Sequence, residues 1–159
     1  MKILFAMFIA GLFTFAHAQN PEIAYFMVLD NGKAGYQNAK GEWVIKPEYD
    51  FAGHFSEGLA CVAKGGKYGY IDKKNKVIIP LQFNAGDEFS EGMARVMKDF
   101  KWGYIDKKGK FVIEPQFQLC YEFYGGYAAA QKKGKWGLID KTGKFVIEPQ
   151  FQDITGFGD

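Results

Sequence analysis

Histidine and cysteine are scarce in this sequence, with two of each in 159 residues. His17 lies in an N-terminal leader, so His54 is the one imidazole beyond it. A Ser-His-Asp or Cys-His site needs a histidine base held by a partner. His54 has no counterpart in the internal repeat described below and reads as surface decoration. One histidine and two scattered cysteines also fall short of a four-ligand zinc set. No catalytic residue, cofactor or metal is therefore expected. Cys61 and Cys120 occupy different places in the repeat and are read as buried thiols acting as small apolar residues, although export would make a disulfide chemically possible.

Charge of one sign is missing too. The formal net charge is +2, and without Lys2 the chain carries 19 basic against 18 acidic side chains. That balance gives no field to attract nucleic acid or an anionic membrane. Long apolar runs are confined to the start, MKILFAMFIAGLFTFAHAQN. Lys2 precedes an uncharged stretch from Ile3 to Phe15, too short for the ~20 apolar residues of a membrane span. Small residues then flank His17 at Ala16 and Ala18. The pattern is that of a secretory signal peptide over 1–18, cleaved after Ala18. No cysteine follows the cleavage site to carry a lipid. The expected location is extracytoplasmic, periplasmic or secreted, and the chain is not expected to be an integral membrane protein.

No stretch holds an apolar 3.6-residue pattern for three turns, which argues against helices. What abounds is glycine, 20 residues, and aromatic side chains, 18%. Large flat side chains punctuated by glycine point to β-structure with tight turns. A chain of this size can bury about two thirds of its unfolded surface, enough for one domain.

The chain also repeats itself. KWGYIDKKGKFVIEPQFQ, from Lys101, returns 34 positions later as KWGLIDKTGKFVIEPQFQ with sixteen of eighteen residues unchanged. The period runs through the chain as Gly35, Gly69, Gly103 and Gly137, and as Ile45, Ile79, Ile113 and Ile147. Tyr49, Phe83, Phe117 and Phe151 form another column; Phe55, Phe89, Phe123 and Phe157 form one more. Within a unit, Trp102–Asp106 and Phe111–Ile113 read as two strands and Met93–Lys98 as the third type. Between the first two, Asp106 can accept from the turn amides and Gly109 can adopt positive φ. Asn75 takes the glycine's place in the second unit, as the next most tolerant residue. Pro47, Pro115 and Pro149 are expected to end the second strand.

The fold expected is all-β, built of tandem 34-residue three-stranded meanders in an open, curved array. A closed four-unit, propeller-like ring is the alternative. The units are 33–66, 67–100, 101–134 and an incomplete 135–159, preceded by a segment, 19–32, with a lone third-type strand. Both faces of the first two strands are apolar, so each sheet needs a neighbour on either side. The first unit is worn, with Ala34 for the Trp or Tyr, Gln37 for the Ile and Asn38 for the Asp. Such departures suit a terminal cap.

The run Lys-Trp-Gly-Tyr-Ile-Asp-Lys-x-Gly-Lys, then Val-Ile-x-Pro-x-Phe, then Phe-x-x-Gly-x-Ala, resembles the bacterial WG (or KWG) repeat family over about residues 33–159. The second unit has Tyr68-Gly69 for Trp-Gly, and the first has Ala34-Gly35. The resemblance implies tandem β-repeats, often in exported proteins and described as binding or interaction modules. It brings no catalytic residue.

Repeated carboxylates such as Asp72, Asp106 and Asp140 have equivalent environments, unlike the split acid and base of a glycosidase. Lysines fill the places where a calcium loop needs oxygen ligands. Those lysines are the candidate surface: Lys73, Lys74, Lys107, Lys108, Lys110, Lys141 and Lys144 lie in equivalent turns along one rim. They can hold an anionic polymer, or merely solubilise the turns and blunt sheet edges. Tyr68, Trp102 and Trp136 read as core or as a sugar-stacking ladder. The residues favour an exported, non-catalytic scaffold binding a protein or other envelope macromolecule. The alternative is a carbohydrate or anionic-polysaccharide binding module, and a glycoside hydrolase is third.

Overall fold

The computed structural model describes residues 25–154. The leader expected over 1–18, the start of the 19–32 segment and the last residues of the fourth unit lie outside them. The described residues are all β, in four consecutive antiparallel sheets. The first holds β1 (Phe26–Asp30), β2 (Lys33–Gln37) and β3 (Trp43–Tyr49). The second holds β4 (Phe51–Ser56), β5 (Leu59–Lys64), β6 (Lys67–Asp72) and β7 (Val77–Phe83). The third holds β8 (Ala85–Gly86), β9 (Ala94–Lys98), β10 (Lys101–Ile105) and β11 (Phe111–Phe117). The fourth holds β12 (Leu119–Cys120), β13 (Tyr127–Lys132), β14 (Lys135–Asp140) and β15 (Phe145–Phe151).

Each sheet is a meander, and the series does not close. The third-type strand pairs with the Trp-Gly strand that follows it, as Lys98 opposite Lys101 and Lys64 opposite Lys67 show. The lone strand β1 therefore has a role: it completes the first sheet by pairing with β2. The segment through the Phe column adds an edge strand, β4, β8 or β12, to the sheet that follows.

The turns form as their residues require. The Oδ1 of Asp106 accepts from the amides of Lys108 and Lys110, both at 2.9 Å. Asn38 does the same in the worn unit for Lys40 and Glu42. Asn75 has φ +62° and Gly109 φ +81°.

One expectation is corrected. The second strand does not stop at Pro115 but runs on to Phe117. Trp102 pairs with Phe117 and Tyr104 with Ile113, so the single residue Gly103 faces Glu114, Pro115 and Gln116 across a bulge. The bulge removes those residues from the ladder, and the amide hydrogen that proline lacks is not missed there. It also presses backbone onto the glycine. A Cβ at Gly103 would lie 2.6 Å from the Ile113 carbonyl and 2.7 Å from the Pro115 nitrogen. The other three members of the column meet the same obstruction, so the glycine of each Trp-Gly pair is a steric requirement.

The cores lie between sheets, not within them. Tyr36, Ile45 and Tyr49 of the first sheet pack on Ala52, Ala60, Val62 and Ile71 of the second. Tyr70, Ile79 and Phe83 meet Phe89, Ala94, Val96 and Ile105; Tyr104, Ile113 and Phe117 meet Phe123, Ala128, Ala130 and Ile139. The alanines at 60, 94 and 128 let the following sheet close in. Each buried tyrosine needs a partner for its hydroxyl. Tyr36 donates to the Gly53 carbonyl at 2.7 Å, Tyr70 to Asp87 at 2.8 Å and Tyr104 to Tyr121 at 2.6 Å. Burial pushes all three phenols far above the usual tyrosine value. Cys61 and Cys120 are free, buried thiols in separate cores, pushed by burial to about 12 and about 11.

Candidate interaction surface

The seven turn lysines do not form a uniform rim. Lys107 Nζ sits 2.9 Å from Glu57 Oε2 and donates to the Glu57 carbonyl at 3.1 Å. One unit on, Lys141 repeats this with Glu91 at 3.0 and 3.1 Å. The Glu57 carboxylate also accepts from the Gly92 amide, and Glu91 from the Gly126 amide. Each clamp therefore fastens a turn of one sheet to two turns of the next. Lys73 lies over the Tyr25 ring at 5.4 Å. Lys74, Lys108, Lys110 and Lys144 are exposed, with no ion-pair partner among the described residues.

The clamps are acid-sensitive. Burial alone would raise Glu57, but its bonds to Lys107 and Gly92 outweigh that and hold it below 4.5. The Lys141 bond is the main cause of the lowering at Glu91. A carboxylate lowered by folding stabilises the fold above its unfolded pKa, and that contribution disappears as pH falls through the folded value. Stability should decline below about pH 4.5 in the native chain, with a shallower decline in a Glu57→Gln/Glu91→Gln double variant. Urea midpoints measured from pH 7 down to pH 3 check this; parallel curves would contradict it.

The aromatic column is only partly interior. Trp136 is buried, while Tyr68 and Trp102 are half-buried. Tyr121 stacks on Trp136 with centroids 5.4 Å apart. Arg95 was not singled out in the sequence, although it interrupts the column of Cys61 and Ala129. Its guanidinium lies 5.2 Å from the Trp102 ring and 5.9 Å from that of Tyr121. It pairs with Asp87 at 2.6 Å and donates to the Cys120 carbonyl. Thus it ties the third sheet to the fourth. Asp87, Glu88 and Glu122 share a shallow hollow with it. Among the described residues no three His, Cys, Asp or Glu side chains are grouped to hold a metal. His54 is exposed, and its amide donates to Glu88 Oε1 at 2.9 Å.

The most exposed large apolar side chain of the described residues is Phe100, at 83%. It sits at the tip of the β9–β10 hairpin with φ +61°, behind Asp99 at φ +50°. Tight hairpins of this kind require positive φ at both turn residues. The other sheets satisfy that with Asn31-Gly32, Gly65-Gly66 and Lys133-Gly134. A phenylalanine in left-handed backbone costs roughly 1–2 kcal/mol, and here no burial offsets it. The signal was present in the sequence as a phenylalanine in the column Gly32, Gly66, Gly134. Lys98 and Lys101 flank it, and with Phe111, Glu114 and Pro115 they line a hollow of ≈ 290 Å³.

No helix of the described residues is long and apolar enough to cross a membrane. No curated protein matches the chain. A family model, the WG containing repeat, matches residues 35–68, 68–102, 102–136 and 136–159 in succession. With bulge-facing glycines, turn aspartates and stacked meanders at the same period, the chain belongs to the WG repeat family.

Proposed function

We propose that this chain is an exported, non-catalytic scaffold, processed after Ala18, that binds a protein in the cell envelope or outside the cell. Phe100 carries the reading. A strained, exposed aromatic at a position that favours glycine lowers stability without serving the core, and such outliers mark function. A large aromatic side chain held out on a hairpin tip between Lys98 and Lys101 has the character of a binding hot spot,. The repeat supplies the rigid base beneath it.

The test separates stability from binding. Phe100→Gly should raise stability by about 1 kcal/mol, because glycine adopts the turn without strain. The same change should abolish salt-resistant retention of protein from an envelope extract of the producing organism. A variant that gains stability and keeps its retained protein would overturn the proposal.

A second reading rests on Lys74, Lys108, Lys110 and Lys144, whose side chains have no ion-pair partner among the described residues. They favour an anionic polysaccharide as ligand. Retained carbohydrate, released at moderate salt and insensitive to Phe100→Gly, would support that reading instead.

A further inference from the structure

Among the described residues, the outer faces of the first and fourth sheets carry exposed apolar side chains. On the last face, Tyr127, Ile147 and Phe151 are 45%, 39% and 46% exposed. Their internal counterparts are Leu59 and Met93 at 8% and 7%, Ile79 and Ile113 at 0% and 3%, and Phe83 and Phe117 at 2% and 0%. Leu138 completes the face. It replaces Tyr36, Tyr70 and Tyr104, the three hydroxyls that seek a carbonyl on the next sheet. Inside the stack the preceding face is covered by Ala128, Ala130, Ile139 and Phe145 of the sheet that follows.

The first face offers counterparts of these residues. Phe26 and Val28 stand in register with Ala128 and Ala130, and Trp43 with Phe145. Phe26 is 53% exposed and Trp43 37%. Inside the stack, the two phenylalanines of this last column meet the previous sheet ring against ring, whereas Val77 in the same column is 46% exposed. Phe111 lies 6.0 Å from Phe83 and Phe145 6.0 Å from Phe117, both edge-on. Trp43 of one copy and Phe151 of another would continue the series. The turn glycine also matches: Gly143 abuts Ile113, whereas Gly41 has nothing within 4 Å where an isoleucine would sit. We infer that the last sheet of one copy docks on the first sheet of a second copy, head to tail.

Three differences make this contact looser and weaker than the internal ones. Phe26 stands where Ala60, Ala94 and Ala128 let sheets approach closely, Gln37 occupies the column of Ile71, Ile105 and Ile139, and Gly125 stands where Glu57 and Glu91 form the clamps. Association is therefore reversible and rises with concentration. Because the contact joins unlike faces, it produces chains of copies, not symmetric pairs.

Sedimentation velocity of the purified protein, across roughly micromolar to millimolar concentration, provides the test. The native chain should show mass rising in steps of one copy. Ile147→Asp should weaken association by more than about 100-fold, because a charge would be buried without a partner. Trp43→Asp should do the same from the other end, with Phe26→Asp and Tyr127→Asp as second variants at exposed positions. Mixing a first-face variant with a last-face variant should restore a dimer and nothing larger. A native chain that stays monomeric at every concentration would overturn the inference. Association that persists in Trp43→Asp would also overturn it, in favour of last faces pairing with each other.

Discussion

Gly103→Ala is expected to cost at least ~3 kcal/mol, placing it among the severest single substitutions. The reason is backbone against backbone. The new Cβ would sit 2.6 Å from the Ile113 carbonyl and 2.7 Å from the Pro115 nitrogen, and neither atom belongs to a side chain that can swing away. Relief requires the bulge of β11 to lift. That would pull Ile113 and Phe117 from the core they share with the fourth sheet. Gly134→Ala provides the comparison. That glycine has φ +73° but nothing within 4 Å of an added Cβ, so only the left-handed backbone is penalised, at about 1–2 kcal/mol. Urea unfolding of both variants checks the order; equal costs would mean that the bulge is not tight.

Phe117→Ala and Phe151→Ala remove the same side chain from the same column of sequence-identical strands, FVIEPQF in both. Phe117 is fully buried, held by the fourth sheet and edge-on to Phe145. Its loss removes the transfer energy of the ring and leaves a cavity, about 3–5 kcal/mol. Phe151 has no following sheet among the described residues and is 46% exposed, so its loss should cost less than ~1 kcal/mol. Local sequence cancels from the comparison, so the difference reports the neighbouring sheet alone. Urea midpoints in dilute solution, where copies do not associate, provide the measurement. Similar costs would show that burial comes from within each sheet and would contradict stacking.

The sequence carried the parts of this fold that are periodic and local. Asp106 and Gly109 announce their turn because both bonds and backbone are set within four residues. The Phe and Ile columns announce the buried faces because a residue needed in every interface recurs at every period. The extent of β11 was less legible. Proline argues for a strand end unless a bulge is known to sit opposite Gly103, and that bulge is a relation between two strands. The Lys107–Glu57 clamp joins residues 50 apart. That spacing is the period plus an offset across the inter-sheet contact, which no column displays. Arg95 was hidden for a related reason: its partners Asp87, Trp102 and Cys120 lie on different strands. Phe100 was visible in its column, but only the turn's positive φ gives the substitution its meaning.

Strain at one hairpin is compatible with a stable molecule in this architecture. In a stack, each sheet is supported by its neighbours, and a defect is felt mainly next door. The tip of β9–β10 lies outside the cores, so the strain at Phe100 stays local. The surface is free to vary while the columns stay fixed.

The claim beneath all of this is that four sheets support one another in an open series with two unequal ends. Native-state amide hydrogen exchange resolves it strand by strand, because interior elements open only with the whole fold while unsupported ones open alone. Amides of β6, β9, β10 and β13 should share the highest protection, with β1 and β15 exchanging well before them at concentrations where copies stay separate. Equal protection of β1 and β15 with the inner strands would contradict the account, since that is the behaviour of a closed ring.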